Sequence, residues 1–183
     1  MPILTVIAGP NGSGKSTLTR SSEFEGRDRL LDPDAIAREL NPLNPSMAAV
    51  AAGREVLTRT AEYLHLGVSF AIETTLSSRG RLELIRRAKS HGYAVHLLYI
   101  AVDSAERSIS RVRNRAAQGG HFIPEADVRR RYARSTANAI EALRLVDAAK
   151  FYDNSEDRAR LFLIMNEGVV IWRAERFPEW VRM

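Results

Sequence analysis

The chain of 183 residues contains no cysteine. Disulfide frameworks and thiolate metal sites are thereby excluded, and the composition suits a reducing compartment such as the cytoplasm, the expected location. Long apolar runs are missing too: none approaches the roughly 20 residues that a membrane-spanning helix requires. The opening MPILTVIAGP has neither a basic stretch nor a cleavage site, so no signal peptide is expected. The four histidines, His65, His91, His96 and His121, lack metal-ligand spacing, and His121 reads as a surface residue. Internal repeats, low-complexity tracts and linkers are absent, which favours a single domain over 1–183. Lysine is confined to Lys15, Lys89 and Lys150, so arginine carries most of the net charge of +5 and the isoelectric point near 10.0. Guanidinium groups grip planar anions bidentately, and a basic chain suits phosphorylated ligands or nucleic acid. Aromatic residues are only 7% of the chain. Among the arginines at 129–134 the only aromatic is Tyr132, a poor stacking platform for single-stranded nucleic acid.

What is present is an alternation of apolar runs and helical periodicities. Strands are expected near 3–8, 29–32, 68–73, 94–102, 149–152, 161–165 and 169–172. Helices are expected near 15–22, 33–40, 46–66, 79–91, 104–117 and 124–147. The near-continuous run Val95–Val102 reads as a central parallel strand covered on both faces. Alternating strand and helix implies an α/β fold with a mainly parallel sheet in a three-layer sandwich. Asn166-Glu167-Gly168 reads as the turn of a terminal antiparallel hairpin. Trp172 and Trp180 are expected to pack that hairpin and tail.

Between the first strand and first helix stands Gly9-Pro10-Asn11-Gly12-Ser13-Gly14-Lys15-Ser16-Thr17. The pattern G-x-x-x-x-G-K-[ST] in this context is a phosphate-binding P-loop. Its glycines let backbone amides curl around an anion, and the helix N-terminus adds the positive end of its dipole. Lys15 is placed to reach the β and γ phosphates of ATP, and Ser16 to offer its hydroxyl to Mg²⁺.

Other features bear on what the phosphate is for. The run 94–102 ends at Asp103, where a hydrolase would hold its metal, but Asp103-Ser104-Ala105-Glu106 also reads as a helix start with Asp103 as N-cap. An ABC-type signature and the N-K-x-D motif of GTPases are both missing, which weakens the hydrolase readings. A small-molecule kinase needs an acid to accept a hydroxyl proton. Asp32, before Pro33, has the N-cap signature; Asp34 then falls in the first helical turn at the sheet edge where ligands bind. A kinase also needs cations over the moving phosphoryl group. The segment 107–134 carries Arg107, Arg111, Arg113, Arg115, Arg129, Arg130, Arg131 and Arg134 around the break Ala117–Pro124, and reads as a helical lid. Arg107, Arg111 and Arg115 share one helix face; which arginines point inward is open.

GPNGSGKST, LLDPDAIARELNP, AIETTLSS, RVRNRAAQGGHFIPEADVRRRYARS and FYDNS together resemble the zeta-toxin-like P-loop kinases, in particular their short stand-alone branch, from about residue 3 to 165. The resemblance implies an Mg²⁺- and ATP-dependent kinase acting on an alcohol group, the acceptor in characterised members being the 3′-hydroxyl of UDP-N-acetylglucosamine, and it implies an antitoxin protein as partner. By position, Lys15 and Ser16 match the P-loop Lys and hydroxyl residue, and Asp34 matches the acid that activates the sugar hydroxyl. Glu73 and Thr75 match a strand-end substrate or metal pair, lid arginines such as Arg115 and Arg131 match the γ-phosphate sensors, and Asn154 matches a residue near the adenine. This chain has Leu40-Asn41-Pro42 where longer toxins have His-Pro. Two other readings stand beside this one: a nucleic-acid-binding NTPase or RNA-end kinase, and an ATP-sensing protein without catalysis.

Overall fold

A computed structural model describes residues 1–120 and 122–181; His121 lies outside them. The elements in chain order are β1 (Ile3–Ala8), α1 (Lys15–Ser21), β2 (Leu30–Leu31), α2 (Pro33–Leu40), α3 (Ala49–Leu66), β3 (Phe70–Thr74), α4 (Arg79–Ser90), β4 (Ala94–Ala101), α5 (Ala105–Ala117), α6 (Glu125–Leu143), β5 (Ala148–Asp153), β6 (Arg160–Asn166) and β7 (Val169–Arg173). The strands form one seven-stranded sheet in the order β2-β3-β1-β4-β5-β6-β7. The pairings from β2 to β5 are parallel, and β6 and β7 add an antiparallel hairpin.

Strand β3 is buried at every position and β1 at all but its first, as the apolar runs of parallel strands require. Leu4, Val6, Phe70, Ile72, Val95, Leu97, Tyr99 and Phe151 point to one face, where Ala52 and Val56 of α3, Leu82 and Ile85 of α4 and Ala139 of α6 complete the main core. On the opposite face the Thr5 hydroxyl donates to the Glu25 carbonyl at 2.8 Å, pinning the segment that follows α1 across the sheet. Farther along that face a depression of about 580 Å³ lies between Thr5, His96, Leu98, Lys150 and Ile164. Strand β1 is flanked by β3 and β4, so the sheet order reverses at β1, and in such folds ligands bind beyond the strand ends at that reversal.

Several expectations are corrected. The N-cap of α5 is Ser104, whose hydroxyl accepts from the Arg107 amide at 3.2 Å. Asp103 instead holds the Arg107 guanidinium through two bonds of 2.7 Å, an ion pair stronger than the cap it would have made. Helix α3 is preceded by a 3₁₀ turn, Pro45–Ala48, rather than running from 46. Helix α6 stops at Leu143, because Asp147 turns back to exchange bonds with the backbone of Val95. Trp180 packs as expected, against Tyr99 and Phe162. Trp172 does not: β7 is exposed at every position, as the edge strand that pairs with β6 alone among the described residues.

Candidate active site

The P-loop joins β1 to α1 in the conformation its glycines permit. Gly14 takes φ 99°, a left-handed value that side chains disfavour. A Cβ on Gly9 would sit 1.9 Å from the Ile100 carbonyl oxygen, so only glycine passes under β4 there. Within the described residues the amides of Gly12, Gly14, Lys15 and Ser16 have no backbone acceptor. Such orphan donors at a helix start form an anion cradle. The buried Asn11 Oδ1 and Ser13 Oγ are unpartnered as well. Lys15 folds back, donating to the carbonyls of Gly9 and Pro10 at 3.0 and 3.1 Å. Burial pushes the Lys15 ammonium below its usual pKa and Arg115 adds to that, while Glu73, Asp34 and Asp32 oppose it.

The neighbouring strand ends bring the acids. Asp32 caps α2, accepting from the Asp34 amide at 2.9 Å, as its position before Pro33 predicts. Asp34 stands in the first turn, and its carboxylate has no protein partner among the described residues. Glu73 is only 8% exposed. It accepts from the hydroxyls of Ser16 and Thr19, both at 3.3 Å. Burial raises its pKa, and Lys15 and the two hydroxyls only partly offset this. The Thr75 and Ser77 hydroxyls bond each other at 2.8 Å. Oxygen donors at Ser16 and Glu73 are what a hard divalent cation takes alongside phosphate oxygens.

These groups face a cleft of about 720 Å³ at the C-terminal edge of the sheet. Asn11, Gly12, Gly14, Lys15, Ser16, Thr17, Asp34, Glu73, Thr75, Arg111, Arg115 and Arg131 line it. A second hollow of about 650 Å³, reaching to Leu43 and Phe122, shares Asp34 and Arg115 with the first. Gly9, Pro10 and Ser13 shape the loop from behind. Asn154 is not in the cleft wall either: its side-chain amide donates to the Ser13 carbonyl at 2.9 Å and clamps the loop.

The structure sorts the lid arginines. Arg107 is paired with Asp103, Arg113 with Glu125, Arg129 with Glu106 and Arg130 with Asp127. Arg111, Arg115 and Arg131 face the cleft. Helices α5 and α6 also share a small apolar cluster of Ile109, Val112, Ile123 and Val128. Two residues, one behind the cleft and one in its wall, escape the sequence reading. Thr19 helps hold Glu73 one helical turn beyond Lys15. Arg81 lines the wall beside Ser77 and Ser78. Its signal was its place in the first turn of α4, where a cation opposes the helix dipole.

A family model described as an AAA domain matches residues 4–138. A Haemophilus influenzae protein described as uncharacterized is 39% identical over 124 residues, 68% of this chain and 88% of that protein. Among solved structures, the AvrRxo1-ORF1:AvrRxo1-ORF2 complex with sulphate ions matches with a TM-score of 0.73 at 16% identity, over 93% of this chain and 60% of the other. The same complex with ATP matches with a TM-score of 0.70 at 15% identity, over the same shares. The PezAT toxin-antitoxin system of Streptococcus pneumoniae matches with a TM-score of 0.59 at 19% identity, over 87% of this chain and 69% of the other. The chain thus spans 60% of the AvrRxo1 chain it resembles, and the likeness is one of fold.

Proposed function

Because the chain belongs to this AAA-domain family, AAA_33, we propose that it is an ATP-dependent kinase that transfers the γ-phosphoryl group to an alcohol. The observation that carries the reading is the convergence, in one cleft, of P-loop amides, an Asp34 carboxylate and three arginines that have no partner among the described residues. The cleft opens beside Asp34 into a second hollow, which leaves room there for an acceptor larger than water. The ATP held by the AvrRxo1 complex on the same fold supports a triphosphate as donor.

In this reading the P-loop amides and Lys15 hold the β and γ phosphates. Ser16 and Glu73 would hold Mg²⁺, which when bound offsets phosphate charge. Asp34 accepts the proton of the acceptor hydroxyl as its oxygen bonds to the γ-phosphorus. The bond from that phosphorus to the β–γ bridging oxygen breaks, and ADP leaves. Arg111, Arg115 and Arg131 stabilise charge on the moving group, where most catalysis of this reaction lies. Glu73 and Thr75 face the acceptor side, and Asn154 fixes the loop next to the adenine end. The proposal treats 1–183 as one catalytic unit with a lid at 107–134, working in the cytoplasm. A sugar nucleotide such as UDP-N-acetylglucosamine is the acceptor to test first. An antitoxin-type partner is part of the same proposal, supported by the two-component neighbours.

The test is incubation with labelled ATP and Mg²⁺ against a panel of sugar nucleotides, nucleosides and RNA ends, with phosphorus NMR of the product. A phosphomonoester on a small alcohol is expected. Phosphorylated RNA ends would move the protein to the RNA-end kinase class, and binding without transfer would make it a nucleotide sensor. The nucleic-acid reading is weakened by the pairing of Arg107, Arg113, Arg129 and Arg130 with carboxylates, which leaves no continuous basic stripe along the lid.

A further inference from the structure

Helix α4 carries a row of cations, and the structure treats them differently along its length. Near its C-terminal end Arg86 pairs with Glu141 at 2.8 Å and Lys89 with Asp147 at 2.5 Å. Arg79 at the start is exposed and solvated. Arg81 has neither solution. It is partly buried in the cleft wall, and no carboxylate among the described residues lies within ion-pair reach of it. Burial lowers its pKa. The first turn around it contains no acidic residue. A desolvated cation without a partner costs stability, as does a cation at a helix start. Both costs are relieved if an anion enters the cleft.

The position of Arg81 says which anion. The P-loop, Arg111 and Arg131 approach from β1 and the lid, where the donor phosphates lie in the proposed reading, and Arg115 lines both the cleft and the second hollow. Arg81 comes from the β3–α4 segment that also carries Glu73, Thr75 and Ser77. Ser77 and Ser78 line the same wall, the Ser77 hydroxyl bonded to that of Thr75. The Ser78 side chain makes no capping bond, so its hydroxyl is free to donate.

We propose that Arg81 binds an oxyanion of the acceptor, a phosphate or carboxylate group distinct from the hydroxyl that is phosphorylated. This deepens the kinase reading and rests on it for the word acceptor: the enzyme selects hydroxyl compounds that already carry negative charge. A planar fork of guanidinium donors with neighbouring hydroxyls suits such a group, and a neutral alcohol would leave Arg81 buried and unpaired.

The experiment fills the donor side with Mg²⁺ and a non-hydrolysable ATP analogue. Inorganic phosphate is then titrated while the Arg81 side-chain Nε–H signal is followed by NMR, the assignment coming from its loss in Arg81→Gln. Wild type is expected to show a saturable shift. Arg81→Gln should weaken phosphate by about 10- to 100-fold, the scale of a charge-assisted contact, while the affinity for the ATP analogue stays within about twofold. Arg81→Lys should recover part of the loss. A second arm compares turnover of UDP-N-acetylglucosamine with N-acetylglucosamine: the substitution should lower kcat/KM for the anionic compound only. Unchanged phosphate affinity in Arg81→Gln overturns the proposal. So does an equal loss of ATP-analogue affinity, which would place Arg81 on the donor side. Transfer to the anionic and the neutral compound that ignores the substitution equally leaves the kinase reading standing and sinks Arg81. Phosphate binding through Arg81 with no transfer to any acceptor does the reverse.

Discussion

Two carboxylates at opposite edges of the same sheet have opposite fates. Glu73 closes β3 at the edge where the parallel strands end; Asp147 precedes β5 at the edge where they begin. Burial opposes ionisation of both. At Asp147 the opposition is overcome: Lys89 donates to one oxygen at 2.5 Å and the Val95 amide to the other at 2.8 Å, and its pKa falls below the usual carboxylate range. At Glu73 burial wins and the pKa rises, although Lys15 is close. Asp147 therefore stabilises the fold above its ordinary pKa, and that contribution is lost as pH falls through its lowered value. Glu73 has the other sign: its contribution is present below its ordinary pKa and is lost as pH rises through the raised value. Lys15 also opposes neutral-pH stability, because a lowered ammonium pKa contributes only above that pKa. The lower edge spends its charges on the fold, while the upper edge holds charges that only a ligand can satisfy.

The sharpest break of this contrast is at Lys15. Lys15→Ala is expected to reduce phosphoryl transfer to background, a loss of more than about 10³-fold. It should leave the melting temperature unchanged or raised, since a buried charge is removed. Scanning calorimetry beside a transfer assay at saturating ATP checks both; a large fall in melting temperature would show that Lys15 serves the fold. Next comes Asp34→Asn, with a loss of about 10²–10⁴-fold in transfer and unchanged ATP binding. Asp32→Asn should be milder, because Asn caps a helix nearly as well as Asp. The reverse order in single-turnover rates would exchange the roles of the two acids.

At the other edge, Asp147→Ala is expected to destabilise by about 1–3 kcal/mol, chiefly from stranding the buried Val95 amide. The Lys89 pair is partly exposed and adds little. Transfer by the folded protein should not change; denaturant melts with activity normalised to folded fraction test this. Glu73→Gln should do the opposite in the nucleotide-free protein, adding on the order of 1 kcal/mol, or about 2–4 °C in melting temperature. The gain should be largest at neutral pH and fade on acidification, as wild-type Glu73 takes up its proton. A gain independent of pH would mean that ionisation of Glu73 is not the cost.

Much of the upper edge could be read in the sequence because its logic is local. The P-loop is one contiguous motif after one apolar strand, and the Asp32-Pro33-Asp34 start shows its cap and its free acid in three residues. The sorting of the arginines could not be read. Arg113 finds Glu125 and Arg129 finds Glu106 only because α5 and α6 pack side by side, which helical spacing within either one does not encode. Asp103 was misread for a related reason: an acid and a serine compete for one cap, and the outcome depends on an arginine one helical turn away. Arg81 was hidden by a default that usually serves, that a charged residue on a helix faces water. The end of α6 depended on a bond from Asp147 to a strand far away in sequence.

The smallest expected effect concerns the lid, which belongs to neither edge. Helices α5 and α6 are tied by Arg113–Glu125, Arg129–Glu106 and the cluster around Val112 and Val128. Movement on nucleotide binding should therefore concentrate at the end of α5 and the break after it, where Gly119 takes φ 86° with open space around it. Amide exchange from Asn114 to Gly120 should slow a few-fold when Mg²⁺ and a non-hydrolysable ATP analogue bind, while exchange in the tied parts of α5 and α6 stays the same. Arg115 is exposed, so its charge is screened. Arg115→Ala should weaken the ATP analogue relative to ADP by only about two- to fivefold, the ~0.5–1 kcal/mol typical of an exposed charge. The partly buried Arg131 should show the larger preference of the two. The comparison matters because ADP lacks the γ-phosphate. If Arg115→Ala weakens ADP and the ATP analogue equally, the arginine acts as general surface charge, and the lid no longer distinguishes a loaded donor from a spent one.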